Sequence, residues 1–174
     1  VVMSEKQYTK RHFTATGFLV NDASVLLHWH EKVKAWLPLG GHIEENEDPV
    51  TAVLREIREE SGIVANVLDS GSNFEFDNPL QITPPFTILI EDINDPIEGY
   101  HQHIDMIYIC ILDKSHNEKS EILPTGCLWV DIDSLRKKKP FLTPDGQLIS
   151  PPDDVAIIAS HAIKVVNGYK MKFP

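Results

Sequence analysis

The chain has 174 residues, of which 42% are hydrophobic and 24% are charged, a balance typical of one globular domain with its own core. A net charge of −10 argues against broad binding to nucleic-acid backbones, and no apolar run is long enough to cross a bilayer. We therefore expect a single domain over residues 1–174, without a nucleic-acid or membrane partner. Residues 1–10 are interpreted as a flexible or tag-derived start, and residues 136–174 as a C-terminal extension with a closing helix.

The cellular compartment is predicted from the N-terminal sequence and the cysteines. The first ten residues, VVMSEKQYTK, lack the apolar segment of a signal peptide. Cys110 and Cys127 lie in apolar runs, with no cysteine or histidine partner at metal-binding spacing, which predicts buried, reduced thiols in strands. We expect a cytoplasmic protein.

The first elements in chain order are two predicted strands and a loop. Residues 12–20 and 23–30 are apolar runs joined by a turn at Asn21 and Asp22. The next stretch, AWLPLGGHIEENEDP at 35–49, is interrupted by two prolines and two glycines and is predicted as a loop.

A helix is predicted after this loop. Asp48 is a suitable N-cap and Pro49 suits the first helical position, so the helix begins there and runs to about Ser61. Gly62 is a residue that commonly ends helices.

The second half of the chain predicts further strands and two more helices. The strands fall within residues 62–76, 84–93, 103–112 and 126–132, with a short helix within 131–139 and a closing helix that Asp153 caps and Asn167 and Gly168 end. Because strands precede and follow the first helix, the fold class is α/β, a sheet with helices packed on its faces.

Three glutamates fall together on the first predicted helix. At about 100° per residue, Glu56, Glu59 and Glu60 share one face, which adjoins an apolar face. Carboxylates this close repel one another unless a cation lies between them, and oxygen ligands alone suit a hard ion such as Mg²⁺ or Mn²⁺. The alternative is a solvated acidic face stabilised by Arg55 and Arg58.

Two adjacent glycines, Gly40 and Gly41, precede this helix. They let the backbone approach a ligand closely, and the helix start that follows favours anions. A glycine loop, a helix start and a carboxylate face in sequence would suit a phosphate–metal complex. An ordinary strand-to-helix turn is the alternative.

The spacing of these residues resembles the signature of the Nudix hydrolases at every fixed position. Gly41 is followed by five residues, Glu47, seven residues, Arg-Glu-Ile at 55–57, one residue, Glu-Glu at 59–60, one residue, and Gly-Ile at 62–63. We call residues 41–63 the box. The resemblance implies an α/β/α sandwich around a mixed central sheet, and hydrolysis of a small nucleoside diphosphate derivative assisted by Mg²⁺ or Mn²⁺.

The resemblance also implies roles for individual residues. Glu59 and Glu60 would be metal ligands, and Glu56 a further ligand or the base that activates water. The Gly40 carbonyl would reach a metal, and Arg55 would orient a glutamate. Glu47 would pair within the box, and Gly41 and Gly62 would be backbone requirements, with Gly41 also at the substrate.

The general base stays open, because relatives in this family differ in where it comes from. Glu98 and Asp105 are the candidates downstream of the box. In HQHID, alternation along an extended chain places His101, His103 and Asp105 on one face, where they either line the substrate pocket or form hydrogen bonds at a strand entry.

Two further residues are candidates for contact with substrate. His42 follows the double glycine and either contacts a phosphate or packs at the loop. Trp36, beside the glycines, is the first candidate to stack on a nucleobase.

Two other functions compete with hydrolysis. A Nudix-like sensor that binds a metabolite without turnover would usually lack box glutamates, and this chain has all of them. The other alternative is a domain that Ca²⁺ stabilises structurally. The sequence leaves open which nucleotide derivative is the substrate and whether the protein is a homodimer.

Overall fold

The computed structural model describes residues 10–69, 74, 76–116 and 123–172, so the expected flexible start lies outside it except for Lys10. These residues form ten strands and three helices. They are β1 Arg11–Asn21, β2 Ser24–His30, β3 Ala35–Leu37, β4 Leu39–His42, α1 Pro49–Ser61, β5 Ala65–Val67, β6 Thr87–Asp95, β7 Gly99–Leu112, β8 Cys127–Asp131, α2 Ile132–Arg136, β9 Phe141–Leu142, β10 Leu148–Ile149 and α3 Asp153–Lys172.

One mixed sheet of eight strands forms the centre of the molecule, with β1 in the middle. β1 pairs in parallel with β7, from Arg11 opposite Gln102 to Val20 opposite Ile111, and antiparallel with β2 and β4. β3 and β8 pair antiparallel with β2, and β5 and β6 pair antiparallel with β7. The short strands β9 and β10 form a separate pair.

Hydrophobic side chains on the two faces of this sheet form two cores. Along β1, Ala15 and Leu19 point to the face that α1 covers, while Phe18 and Val20 point to the face that α3 covers. This alternation is the two-residue period of a strand buried on both sides. The expected α/β/α sandwich around a mixed sheet is confirmed.

Helix α1 begins and ends where the sequence predicts. The Asp48 side chain accepts hydrogen bonds from the backbone N–H groups of Val50 and Thr51, and Pro49 is the first helical residue. At the other end Gly62 has φ 75°, a left-handed conformation that favours glycine, and its N–H donates to the Arg58 carbonyl.

The loop predicted for residues 35–49 is wrong over its first half, which forms β3 and β4. Gly40 and Gly41 lie opposite Thr16 and Ala15 of β1. A Cβ atom on Gly40 would lie 2.7 Å from the Ala15 carbonyl oxygen, so only glycine lets β4 lie this close. The two glycines, which favour a loop on sequence grounds, therefore allow close contact between β4 and β1.

The closing helix also differs from the prediction at both ends. It begins at Asp153, which lies in the first turn and not at the cap, and it continues through Asn167 and Gly168 to Lys172. A glycine inside a helix costs only about 1 kcal/mol, less than the packing of the buried residues Ile163 and Val166 contributes.

Both cysteines are free thiols in strands, as predicted, with Cys110 fully buried and Cys127 half-buried. Among the described helices, none combines the length and the apolar composition that crossing a bilayer requires.

Candidate active site

Glu56 and Glu60 lie on the side of α1 that faces the glycines of β4. Glu60 Oε2 accepts a hydrogen bond of 3.1 Å from the backbone N–H of Gly40. The Glu56 carboxylate lies against Gly41, where a Cβ atom would come within 2.7 Å of Glu56 Cδ. The absence of a side chain on Gly41 therefore makes room for this carboxylate.

Arg55 connects the glutamates of the box to one another. Its Nε and Nη2 donate to the two carboxylate oxygens of Glu47, each at 2.9 Å, and Nη1 donates to Glu56 at 2.7 Å and to Glu59 at 3.3 Å. Nη2 also donates to the His42 carbonyl at 3.1 Å. The two parallel bonds to Glu47 fix the plane of the guanidinium, which in turn orients Glu56.

Glu60 lies in a place that disfavours its negative charge. Burial is the main cause that raises its pKa to about 7. The hydrogen bond from Gly40 opposes this shift, and the nearby Glu56 and Glu59 carboxylates add to it. His28 Nδ1 is 3.4 Å from Glu60 Oε1, but burial and His30 lower the pKa of His28 to about 4, so the contact is not an ion pair at neutral pH. A divalent cation would relieve this repulsion.

The donor atoms at the box suit a hard divalent cation. Glu56, Glu59 and Glu60 supply carboxylate oxygens, and Gly40 adds a backbone carbonyl on the neighbouring strand. In the structure these carboxylates are hydrogen-bonded to Arg55 and to the Gly40 N–H and do not converge on a single point. A cation bound by all three carboxylates would therefore require a small rearrangement of side chains.

Four histidines meet on the other face of the sheet, and we call His12, His42, His101 and His103 the histidine cluster. His12 Nδ1 is 3.0 Å from His42 Nε2, and His101 Nε2 is 3.3 Å from His103 Nε2. Burial is the main cause that lowers the pKa of His103 to about 4, with the neighbouring histidines adding to it. The box and the histidine cluster meet at His42, whose carbonyl binds Arg55.

Asp105 lies beside this cluster, as the alternation in HQHID predicts. Its Oδ1 accepts hydrogen bonds from the hydroxyls of Thr14 at 2.9 Å and Thr16 at 3.0 Å, and the residue is 4% exposed. Burial raises its pKa against the effect of the two hydroxyls. Farther along β7, Ile107 and Ile109 on the same face are core.

Glu98 lies at the rim of the cluster, in the turn before β7. Its Oε2 is 3.1 Å from Lys10 Nζ and 3.7 Å from His12 Nε2, and the Lys10 contact is the main cause that lowers its pKa. The structure thus places Glu98 and Asp105 beside the histidines, and neither makes a described contact with the glutamates of the box.

Trp36 requires a correction. It is 1% exposed and packs edge-on against Trp29, with 5.5 Å between the ring centroids. A ring buried in this way presents no face to a nucleobase. Its position on β3, inside the stretch predicted as a loop, explains why it was expected to be accessible.

Three residues near the site were not identified from the sequence. His12 belongs to the cluster because β1 places it opposite His103, and His28 approaches Glu60 from β2. Glu91 on β6 is the cross-strand neighbour of His103 in the β6–β7 pair. Burial is the main cause that raises the pKa of Glu91 to about 7, and Asp105 and Asp154 add to this shift. Both faces of β6 carry two aliphatic residues, so the sequence does not show which way Glu91 points or which residue it pairs with.

Comparison with known proteins identifies the family. The family model described as NUDIX domain matches residues 10–150. The chain belongs to the Nudix family. A search of curated protein sequences gives no significant match.

Solved structures with the same fold include several hydrolases. A NUDIX-family hydrolase from Clostridium perfringens has a TM-score of 0.66 and 26% identity, covering 90% of this chain and 99% of its own. The Ap4A hydrolase of C. elegans has a TM-score of 0.55 and 13% identity, covering 92% and 98%. A UDP-X diphosphatase has a TM-score of 0.52 and 17% identity, covering 92% and 66%. Together with the intact box, the family match makes this Nudix protein a hydrolase.

Proposed function

We propose that this Nudix protein hydrolyses the diphosphate linkage of a nucleoside diphosphate joined to a second group, with Mg²⁺ as cofactor and Mn²⁺ as a substitute. The observation that supports this most strongly is the complete box. Glu56, Glu59 and Glu60 are all present on the α1 face that meets Gly40 and Gly41. A binding domain without turnover has no need of all three carboxylates.

The residues that would hold the metal are Glu56, Glu59, Glu60 and the Gly40 carbonyl. The bound cation supplies charge neutralisation at the phosphate oxygens and a water that is deprotonated near neutral pH. Arg55 connects the loop of the box to its helix by binding Glu47, and it orients Glu56. Glu56 is our proposed base, with Glu98 and Asp105 as alternatives.

The substrate would lie across the end of the sheet, between the box and the histidine cluster. His42 belongs to both groups, since its carbonyl binds Arg55 and its ring contacts His12. We propose that Gly41 and His42 contact the phosphates and that the rest of the substrate lies beside His101 and His103. Proteins of this fold are named for Ap4A and UDP-X, which makes dinucleoside polyphosphates and nucleotide sugars the first compounds to test.

The test is a phosphate-release screen with Mg²⁺ and with Mn²⁺ over nucleoside diphosphate derivatives, coupled to a pyrophosphatase or a phosphatase. With the best substrate, Glu59→Gln and Glu60→Gln should each lower kcat by at least about 100-fold, because metal-assisted charge stabilisation contributes several kcal/mol. Neither variant should melt at a lower temperature than the metal-free wild type, since burial of Glu60 already disfavours its charged form. Glu45→Gln, an exposed glutamate in the same box, is the matched control and should keep full turnover.

The other two functions give different results in the same experiment. A sensor would be stabilised against heat by one compound of the panel and would not turn it over. A Ca²⁺-stabilised domain would gain thermal stability from Ca²⁺ beyond that from Mg²⁺ or Mn²⁺, again without turnover. Full turnover in Glu59→Gln and Glu60→Gln would show that the metal ligands are assigned wrongly.

A further inference from the structure

The histidine cluster lies on the opposite face of the sheet from α1, apart from the box carboxylates. His12 comes from β1, His42 from β4, and His101 and His103 from β7. His12 and His103 are direct neighbours across the parallel β1–β7 pair, and His101 is two residues before His103 on the same face. Three separate strands thus place imidazole rings at one position.

The ring nitrogens of the cluster lie close enough together for one ion to bind several of them, and one pair has the spacing of metal ligands. One nitrogen from each of His12, His101 and His103 lies within 4.8 Å of the others, the one such convergence of three potential ligand side chains in the described part of the chain. Zn–N bonds of about 2.0–2.1 Å at tetrahedral angles hold two ligand nitrogens about 3.4 Å apart. The His101 Nε2 to His103 Nε2 distance is 3.3 Å.

The hydrogen bonds of the rings show which nitrogens could bind a cation. His101 Nδ1 is 3.0 Å from the Gly99 carbonyl, which can only accept, so Nδ1 carries the proton and Nε2 presents its lone pair to His103 Nε2. A cation between these two nitrogens would replace their hydrogen bond. His12 makes its hydrogen bond to His42 through Nδ1, and its Nε2 is buried with no hydrogen-bond partner. Metal-binding histidines typically have one nitrogen fixed in this way by a neighbour.

The charges around the cluster favour a cation over a phosphate. Glu98 Oε2 is 3.7 Å from His12 Nε2, Glu91 is the cross-strand neighbour of His103, and Asp105 follows on the same face of β7. Lys10, which contacts Glu98, is the one cation whose contact with these carboxylates is described. Imidazole ligands suit borderline ions such as Zn²⁺ better than they suit Mg²⁺.

We propose that the histidine cluster binds one divalent transition-metal ion of the Zn²⁺ class through His12, His101 and His103. His42 orients His12 through the ring contact, and the Glu98 carboxylate is close enough to reach the fourth ligand position. This site is distinct from the hard-cation site at the box, and it does not depend on the proposed hydrolysis.

The experiment uses the full chain, stripped of metal and held in excess Mg²⁺ so that the box is saturated. Titration with Zn²⁺, followed by calorimetry, should give one tight site per chain. Co²⁺ should give the visible absorption bands of a four-coordinate ion. His101→Gln and His103→Gln should each weaken binding by more than about 100-fold, because loss of an outer partner alone costs roughly 10–100-fold. His42→Gln, which removes only the partner of His12, should weaken binding by about 10-fold.

Two controls locate the ion. His161→Gln changes an exposed histidine on α3, and Glu59→Gln changes the box; both should leave Zn²⁺ affinity and the Co²⁺ bands as in the wild type. Equal Zn²⁺ affinity in His103→Gln and wild type would overturn the proposal, as would loss of the site in Glu59→Gln. A third outcome would also overturn the proposal. If the protein takes up no Zn²⁺ but binds inorganic phosphate without metal, and His103→Gln abolishes that binding, the histidine cluster is an anion site. The melting temperature of each variant in Mg²⁺ verifies that the fold is retained.

Discussion

At Gly41 the backbone of β4 lies so close to α1 that the first atom of any side chain would displace the Glu56 carboxylate. Gly41→Ala should therefore move the proposed base and metal ligand by about the size of a methyl group. A displacement of about 1 Å at a reacting group can cost on the order of 100-fold in rate. We expect kcat/KM for the best substrate to fall by about that factor, with little change in melting temperature.

Gly168→Ala is the matched glycine control. Its Cβ atom would meet no other atom within 4 Å, and α3 continues through this position. It should leave kcat/KM unchanged and raise the free energy of unfolding by about 0.5–1 kcal/mol. Full activity in Gly41→Ala would show that catalysis does not require Glu56 at its present position.

Glu98→Gln and Asp105→Asn decide between the alternative bases. Asn at position 105 can still accept from the hydroxyls of Thr14 and Thr16, so the fold should hold. The Lys10 contact lowers the pKa of Glu98, which makes it a weak base. A general base contributes roughly 10²–10⁴-fold, so we expect kcat to fall by less than about 10-fold in both variants. A larger loss in one of them would transfer the role of base from Glu56 to that residue.

Among single residues, those with local signals could be predicted from the sequence. The pairing of Arg55 with Glu59 follows from their i,i+4 spacing, and the resemblance of the box implies that Glu47 pairs within it, although not that its partner is Arg55. Burial of Trp36, the approach of His28 to Glu60 and the position of Glu91 depend on which strands pair and in what register. The β2–β3 and β6–β7 pairings join consecutive strands, but no local signal fixes their register, and the contact of His28 with Glu60 joins a strand to a separate helix.

At the scale of elements, Gly62 is a sensitive position on α1. Its φ of 75° costs a residue with a side chain about 1–2 kcal/mol, although asparagine tolerates this conformation better. Gly62→Ala should lower the free energy of unfolding in urea by about 1 kcal/mol, and Gly62→Asn should lower it by less. Since Gly62 has no neighbour that a Cβ would meet, turnover per folded molecule should not change. Equal stability of the alanine variant and the wild type would mean that the end of α1 relaxes at no cost.

Helices and strands that carry local signals are also the ones that the sequence predicts well. Helix α1 carries both of its end signals, Asp48 and Gly62, within its own sequence. Strand β4 is held by its pairing with β1 and contains the two glycines that favour a loop on local grounds. The end of α3 was misplaced because the packing of earlier turns outweighs the local preference of Gly168.

For the molecule as a whole, Glu91 should make stability depend on pH. Burial is the main cause that raises the pKa of Glu91 in the folded protein to about 7 from an ordinary value of 4.5. The contribution of this group to the free energy of unfolding is therefore fully present below pH 4.5 and is lost as the pH rises through 7. Glu91→Gln resembles the protonated form. Without metal, the free energy of unfolding should fall by about 1–2 kcal/mol more in the wild type than in the variant between pH 5 and pH 8. The difference is smaller than the full pKa shift implies, because water still reaches part of this carboxylate.

Urea unfolding at both pH values measures this difference. Glu60 also has a raised pKa, but it is present in both proteins and its effect cancels in the comparison. Parallel pH profiles for the variant and the wild type would show that Glu91 ionises as freely in the folded protein as in the unfolded chain.

The parallel pair of β1 and β7 also has a consequence for how the protein folds. It joins residues about 91 positions apart, and the whole box lies in the chain between them. Contacts across so long a separation form slowly, because the chain entropy is lost before the contacts are gained. The local unit of β1, β2, β4 and α1 can therefore assemble during synthesis before β7 emerges from the ribosome. The box carboxylates would then be in place early, and the histidine cluster would be completed only when β7 joins the sheet.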